Sequence, residues 1–483
     1  ESEPSMIALR LTQHRLPRPT ASRWFSFIRR VRNNPSFQAA SANKETILQG
    51  LKKPEPQISP RWLYDDKGSA LFEQITETNE YYLTRKELEL LQEVADDIAP
   101  FPDEGDNADQ KVRRVLVELG AGSGKKTTLI LDAMKALSGG VTYVPIDVNE
   151  ASLQENAKKY NFNAPSVEFK PIVSSYQDCL PDVAKMSGRK TFLFLGSSLG
   201  NYSDEECVDL LKVLSENMNP RDRFLLGVDT PHGSHKPAEV IEAAYNDKEG
   251  ITAEFTLNSL NHVNKEADMD FETEKFRHIA TYDKDRKAVF TFVESLEDQV
   301  VNSSGVPILN LRKSDRIFME QSRKFSEADI KRLANLSNLV VSRSWTTGDK
   351  CHLLVELTRD DLKRAGEVSD WIFGELVPKG LGGLLEKPIL LRHPFLFYEG
   401  HIAAFYQTKT LEEASEVKGF TKQRATDLSQ IYERGIDPEI TSGECRHRHS
   451  PPPTQWPSFE ETKTYLDNVR YEISRKMFGN KER

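Results

Sequence analysis

The order of apolar and polar positions changes twice along the chain. Ordered sequence is expected from near Asn43. Over residues 59–99 apolar residues recur at helical spacing: Leu71, Phe72 and Ile75 share one face, and so do Leu88, Leu91 and Val94. Residues 101–110 are acidic and rich in turn formers, which predicts a loop. Short apolar runs then replace the helical period. Val115 to Leu119, Val141 to Ile146, Val167 to Val173, Thr191 to Leu195 and Phe224 to Val228 read as strands, with helical spacing over 126–137 and 150–160. Ser203 and Glu206 form a capping box, and the helix it opens aligns Cys207, Leu210, Leu211, Leu214 and Met218. Apolar strands alternating with helices predict a parallel sheet covered on both faces.

The rhythm breaks after Asp229. Residues 231–324 mix helix with longer strands such as 288–294, before a helix from Ser326 to Leu336 and strands at 338–345 and 352–357. The expected fold is α/β: a doubly wound, Rossmann-like domain over 46–358 with an inserted α+β segment at 231–324. Residues 360–483 read as a separate helical unit. Its helical candidates are 361–377, 396–408, 411–416 and 459–475, interrupted by Ser450-Pro451-Pro452-Pro453.

Composition narrows the class. The 483 residues are 38% hydrophobic and 29% charged, a globular balance, and no apolar run is long enough to span a bilayer. A formal charge of -9 gives no global attraction to nucleic acid. Cys179, Cys207, Cys351 and Cys445 lie far apart, which fits a reducing, cytoplasmic setting and excludes a disulfide scaffold. Between Pro4 and Lys44 there is no Asp or Glu but seven arginines, a profile shared with organelle transit peptides. Residues 1–45 are read as a basic, disordered tail. The chain begins at Glu1 rather than Met, which reads as a trimmed start or a piece of a longer chain.

Candidate chemistry begins at Glu118-Leu119-Gly120-Ala121-Gly122-Ser123-Gly124-Lys125-Lys126-Thr127, at a strand end opening a helix. A phosphate-binding loop needs G-x-x-x-x-G-K-[ST], and Lys126 stands where the hydroxyl should be. A dinucleotide loop needs a third glycine where Lys125 stands. The E/D-x-G-x-G loop of S-adenosylmethionine methyltransferases fits. Asp147, at the end of the next strand, suits ribose hydroxyls. A second cluster, Leu195-Gly196-Ser197-Ser198-Leu199-Gly200-Asn201-Tyr202, follows the fourth strand, where α/β sheets place ligands, and Asn201 offers both donor and acceptor.

The segment Trp62-Leu63-Tyr64-Asp65-Asp66-Lys67-Gly68-Ser69, with Leu71-Phe72, Ile75-Thr76, Glu80-Tyr81-Tyr82 and Thr84-Arg85, resembles the opening signature of the histidine-specific Nα-methyltransferases of ergothioneine biosynthesis. The likeness continues through Ala244-Tyr245-Asn246-Asp247, Asn264-Lys265-Glu266, Phe276-Arg277-His278 and Met319-Glu320-Gln321-Ser322 with Lys324-Phe325, and covers about residues 45–358. It implies a class I methyltransferase that trimethylates L-histidine to hercynine with S-adenosyl-L-methionine. By that resemblance Tyr64 and Tyr81 face the substrate, Asn201 and Tyr245 hold its amino-acid end, and Glu320 with Ser322 reads the imidazole. Gly120, Lys126, Asp147, Ser175 and Tyr176 match cofactor positions, although the last pair is commonly Asp-Phe. Relatives that methylate a tryptophan-derived amino acid depart at the Glu320–Ser322 pair, so histidine is favoured. Tyr64 or Asn201 is expected to pass the amine proton to water.

The carboxy-terminal unit has a second resemblance. Pro388-Ile389-Leu390-Leu391-Arg392-His393-Pro394, Tyr398, Gly400-His401-Ile402-Ala403-Ala404-Phe405 and Glu433-Arg434-Gly435-Ile436-Asp437-Pro438 resemble the helical, DinB-like domain of fungal ergothioneine enzymes. There a further domain completes a non-haem iron sulfoxide synthase. His401 matches the first iron ligand, but no later H-x-x-x-H follows, so no metal site is expected. Cys445, His447 and His449 are read as a loop. The resemblance implies an incomplete DinB-like region, whose partner is a sulfoxide synthase or a missing carboxy-terminal domain.

Overall fold

The computed structural model describes residues 36–100, 113–122, 124–138, 140–159, 166–234 and 236–361, then 369–370, 372–373, 395–411, 417, 419–432, 439–441, 444–446 and 455–478. The expected loop at 101–110, most of 361–377, 412–416, the Pro-rich stretch, His447 and His449 lie outside the described residues. The chain divides into two units, to Asp360 and from Asp361.

A helix begins earlier than the expected start at Asn43: α1 runs Ser36–Leu51 and buries Ile47 and Leu51. Residues 36–43 contain no glycine, proline or β-branched residue, so nothing holds the helix back to Asn43. A 3-10 turn over Pro60–Leu63 leads to α2 (Asp66–Glu77), capped by Asp65, whose Oδ1 accepts the Gly68 N–H at 2.7 Å. In α3 (Tyr82–Ile98) the buried residues are Tyr82, Leu83, Glu87, Leu90, Leu91 and Ile98. That face is rotated from the predicted Leu88–Leu91–Val94 stripe, because it includes a carboxylate that binary patterning assigns to solvent.

The sheet follows: β1 (Arg114–Leu119), α4 (Thr127–Ser138), β2 (Val141–Asp147), α5 (Glu150–Lys159), β3 (Val167–Phe169), β4 (Ile172–Val173), α6 (Tyr176–Ala184), β5 (Arg189–Phe194), α7 (Asp204–Asn217) and β6 (Arg223–Asp229). The single strand expected at 167–173 is two, both parallel to β2. Between them stands Pro171, which has no N–H to give a ladder. After the insertion come α10 (Glu327–Leu336), β12 (Leu339–Thr346) and β13 (His352–Arg359). Strand order is β12-β13-β6-β5-β1-β2-β3, with β4 also beside β2. β13 runs antiparallel to β6 and β12; the other pairs are parallel. The connections reverse direction between β1 and β5, so the crevice beyond their carboxyl ends is where such a sheet binds ligands.

The insertion holds α8 (Ala238–Ala243), α9 (Ile251–Ala267), β7 (Phe276–Asp283), β8 (Ala288–Ser295), β9 (Gln299–Ser303), β10 (Val306–Leu311) and β11 (Arg316–Arg323). β11, β8 and β7 form an antiparallel sheet, with a bulge in β11 between Phe318 and Glu320. Its core joins Phe255, Leu260, Val293 and Met319 to Ile47, Leu51, Trp62, Leu71 and Tyr81, so the helices at the chain's beginning pack with the insertion.

In the second unit α11 (Phe395–Tyr406) continues as a π turn over Gln407–Leu411, and α13 (Phe459–Phe478) is longer than predicted. A helix absent from the expectation, α12 (Lys422–Tyr432), buries Ala425, Leu428 and Tyr432; its mostly polar sequence hid that stripe. Gly400 is required here, since a Cβ would lie 2.3 Å from the Tyr432 ring. Cys445 sits in a short hairpin strand, β15 (Glu444–Arg446), paired with β14 (Glu439–Thr441), rather than in a loop. Among the described residues no helix is long and apolar enough to cross a membrane.

Candidate active site

Three glycines after β1 have positive φ, for different reasons. A Cβ on Gly120 would approach the Tyr176 hydroxyl to 2.9 Å, and one on Gly124 the Asn156 amide to 2.7 Å, whereas one on Gly122 would meet nothing within 4 Å. Protein packing fixes the outer two; open space lies over the middle one. Asp147 accepts the Gly122 N–H at 3.1 Å and the Asn149 N–H at 2.9 Å. Burial raises its pKa against those two bonds. The Tyr176 ring packs on Phe194 at 5.7 Å, while the Ser175 hydroxyl caps α6 by binding Asp178.

Both loop lysines are neutralised. Lys125 pairs with Glu73 and Glu77, each at 3.1 Å, and Lys126 pairs with Glu87. A loop with open space above Gly122, a carboxylate at Asp147 and no unpaired lysine suits a nucleoside cofactor without phosphates. Lys126 therefore contributes through Glu87, which is 1% exposed and also accepts the Gly196 N–H at 2.8 Å. The His352 Nε2 lies 3.4 Å from the same carboxylate. Burial alone would raise the pKa of Glu87, but Lys126 and His352 hold it well below the usual range. One buried anion thus ties α3 to the loops after β1 and β5. Glu118, one strand deeper, accepts from Thr127 and Tyr143 and joins β1, β2 and α4; burial raises its pKa to about 7.

The other side of the crevice is aromatic. Tyr64 meets Phe72 and Phe255 edge-on at 5.7 and 5.4 Å, Phe72 meets Tyr81 at 6.2 Å, and Tyr81 meets Tyr245 at 6.3 Å. Burial, then the Glu320 charge, raises the Tyr64 pKa. Its hydroxyl therefore stays protonated at neutral pH. Asn201 ends a 3-10 turn, Ser198–Asn201, pinned to β11 at Gly200, where a Cβ would lie 2.7 Å from the Arg323 carbonyl oxygen. Arg323 secures the junction by donating to the Tyr202 carbonyl at 3.2 Å and to Asp204 at 2.5 Å.

Glu320 and Ser322 lie two apart beyond the bulge of β11 and share a face. The Tyr245 hydroxyl contacts the Ser322 Oγ at 2.6 Å. Behind them, fully buried Lys324 donates to Tyr245 at 2.8 Å, to Ser322 at 3.1 Å and to Asp229 at 3.0 Å. Asp229 also accepts from Tyr82 at 2.8 Å and Lys236 at 2.5 Å. Burial alone would raise the Asp229 pKa, but Lys324 and Lys236 hold it low. Glu320 differs: burial raises it to about 7, opposed only by the Lys324 charge, and no hydrogen bond to its carboxylate is found among the described residues. A half-buried carboxylate beside tyrosines, with no hydrogen-bonding partner among the described residues, is a candidate ligand group.

The structure thus brings Tyr64, Tyr81, Tyr245, Glu320 and Ser322 together on one side and Gly120, Asp147 and Tyr176 on the other. Asn201 lies at the junction, and Ser175 and Lys126 are engaged by protein groups. Sequence reasoning did not select Glu87, Tyr82, Asp229, Lys236 or Lys324. Three of them were signalled: Asp229 stands where the strand rhythm breaks, Tyr82 lies in the run Glu80-Tyr81-Tyr82, and Lys324 lies within the run from Met319 to Phe325.

A doubly wound sheet with an antiparallel edge hairpin, a phosphate-free glycine loop after β1 and a carboxylate ending β2 defines a class I methyltransferase. The chain belongs to the histidine-specific, SAM-dependent methyltransferase family, whose profile matches residues 43–359. It is 32% identical to Ergothioneine biosynthesis protein 1 of Neurospora crassa, over 89% of this chain and 50% of that protein. It is 27% identical to the protein of that name in Schizosaccharomyces pombe, over 87% of this chain and 55% of that one. Histidine N-alpha-methyltransferase of Mycobacterium tuberculosis is 30% identical over 63% of this chain and 91% of its own length. The chain spans about half the length of the two fungal relatives.

Proposed function

We propose that this chain transfers methyl groups from S-adenosylmethionine to the α-amino nitrogen of L-histidine, three times, giving hercynine for ergothioneine biosynthesis. The observation that carries the reading is the unpartnered Glu320 carboxylate beside Ser322 on the aromatic side of the crevice. An imidazole, with one N–H and one lone pair in its neutral form, matches a carboxylate and a hydroxyl. An indole has only an N–H and would leave the hydroxyl unmatched, so tryptophan-derived substrates are disfavoured.

The bound cofactor supplies a methyl activated by its sulfonium. Gly120, Asp147 and Tyr176 would line its site, with Lys126 and Ser175 holding the loops in place. Asn201 and Tyr245 would fix the amino-acid end, and Tyr64 and Tyr81 would exclude water from the amine. The chain's task is positioning and desolvation of an uncharged amine. Tyr64, kept protonated by burial, would relay the amine proton through its hydroxyl rather than act as a standing base. The second unit is proposed as a DinB-like region of the fungal kind, working with a sulfoxide-synthase domain or partner. The described residues hold no cluster of three metal-ligating side chains. A cytoplasmic setting is proposed on the buried, free thiols of Cys179, Cys207 and Cys351.

The test is mass spectrometry of histidine incubated with the protein and S-adenosylmethionine. Gain of one to three methyls on the α-nitrogen is expected. Methylation of tryptophan in preference to histidine would overturn the reading.

A further inference from the structure

The hydrogen-bond count behind Glu320 deepens the reading just proposed, and rests on it for the identity of the ligand. A lysine ammonium has three N–H donors and no acceptor. Those of Lys324 are all placed: on Asp229 at 3.0 Å, on the Tyr245 hydroxyl at 2.8 Å and on the Ser322 hydroxyl at 3.1 Å. Tyr245 and Ser322 also share one hydrogen bond, at 2.6 Å. Two hydroxyl protons therefore serve one mutual bond, and one proton is left over. A phenol is more acidic than an alkyl alcohol and its oxygen is the poorer acceptor, so Tyr245 donates to Ser322. The Ser322 oxygen then accepts from both Tyr245 and Lys324, which fills both its lone pairs. Its only remaining capacity is to donate. Two residues away on the same face, Glu320 can only accept while ionised.

We propose that Lys324 is a positioning residue that turns Ser322 into an obligate donor, so that Glu320 and Ser322 together select neutral imidazole and reject imidazolium. Neutral imidazole gives one N–H to Glu320 and takes one O–H from Ser322. Imidazolium carries two N–H groups, and the second meets the Ser322 proton head-on. Without Lys324 the Ser322 hydroxyl regains a lone pair and turns to accept. The charged and titratable groups facing this pair are Lys324 from its own strand's end, Tyr245 after α8, Asp229 from β6, Tyr82 and Tyr81 at the start of α3, Lys236, and Tyr64 before α2.

The test compares histidine with its 1,2,4-triazole analogue, which keeps a donor and an acceptor but stays neutral across the pH range used. Titration calorimetry of both ligands, in saturating S-adenosylhomocysteine, is run between pH 7.5 and 5.5. Titration of protein groups away from the Glu320–Ser322 pair affects both ligands alike and cancels in the ratio of their dissociation constants; Glu320 itself is held out of the comparison by repeating the series in Glu320→Gln. With an imidazole pKa near 6.5, the neutral fraction of histidine falls about tenfold over that range. The wild-type protein should therefore shift the ratio about tenfold toward the triazole as pH falls. In Lys324→Met the ratio should change by less than about twofold, because the serine can then accept from the added proton. A flat ratio in the wild type overturns the proposal without need of a variant that folds. So does an equal pH shift in Lys324→Met and wild type, and so does failure of both ligands to bind. Because binding is read, histidine that binds yet is not methylated would overturn the proposed reaction while leaving this inference standing.

Discussion

The two sides of the crevice solve the same problem, holding polar groups out of water, in opposite ways. On the glycine-loop side Asp147 and Glu118 are answered by nearby groups: Asp147 by the Gly122 and Asn149 N–H groups, Glu118 by Thr127 and Tyr143. Most of these partners lie in one βαβ unit, so short-range sequence specifies them. On the aromatic side, Tyr82, Asp229, Tyr245, Ser322 and Lys324 come from segments far apart in the chain, and the charge nearest the open space, Glu320, has no hydrogen-bonding partner. A site for a common cofactor can be a local motif. A site that must discriminate among amino acids is assembled by the tertiary fold, and it leaves one group unsatisfied for the ligand to complete.

The strongest way to break this comparison is to remove the ion that organises the assembled side. Asp229→Ala leaves Lys236 and Lys324 buried without their counterion and should cost about 3–5 kcal/mol in urea unfolding. A loss no larger than that of a surface substitution would mean the network is dispensable. Next come Glu320 and Asp147, which should separate cleanly. Glu320→Ala should lower kcat/KM for histidine at least ~100-fold with cofactor binding unchanged. Asp147→Ala should weaken cofactor binding by ~10–100-fold, the worth of hydrogen bonds to a charged group, with both ligands followed by calorimetry. If either variant weakened both ligands equally, the two sides would be one site.

The glycines sharpen the local side. Gly120→Ala forces a Cβ to 2.9 Å from Tyr176 in addition to the left-handed backbone, and should lower stability more than Gly122→Ala, whose strain alone is about 1–2 kcal/mol. Gly122→Ala should nevertheless lose cofactor affinity, because its methyl enters the open space. Equal melting temperatures for the two variants would contradict that distinction. The pH dependence separates the sides again. Glu118 and Glu320 are both raised from the usual 4.5 to about 7. A carboxyl with a higher pKa in the folded chain adds stability that is fully present below about 4.5 and is lost as pH rises through about 7. Stability of the ligand-free protein should therefore decline over that window through both groups, and Glu320→Gln should remove only its share of the decline. The smallest effect is at Ser203→Ala, which breaks the α7 capping box at a cost of about 1 kcal/mol and leaves both ligands' binding unchanged.

Periodicity carried the doubly wound sheet and the return of the last two strands, and spacing carried the capping box at Ser203, because these rest on contacts within a few residues; the box at Ser326 was seen only in the structure. The glycine loop and Asp147 were legible for the same reason. The quoted runs also placed Tyr64, Tyr81, Tyr245, Glu320 and Ser322 as candidates, but not what they touch. Other features were decided only when the chain closed on itself. Glu87 faces inward on α3 because Lys126, Gly196 and His352 arrive from three other elements to meet it. Lys324 is buried because Asp229, ninety-odd residues earlier, supplies its counterion, and Gly200 is glycine because a strand from the insertion passes 2.7 Å from where a Cβ would be. Burying a charge is stable only when its partners converge, and convergence across long separations leaves no period in the sequence to read. The sequence by itself determined the sheet and the glycine loop; the tertiary structure decided which charges were answered, and which one was left open.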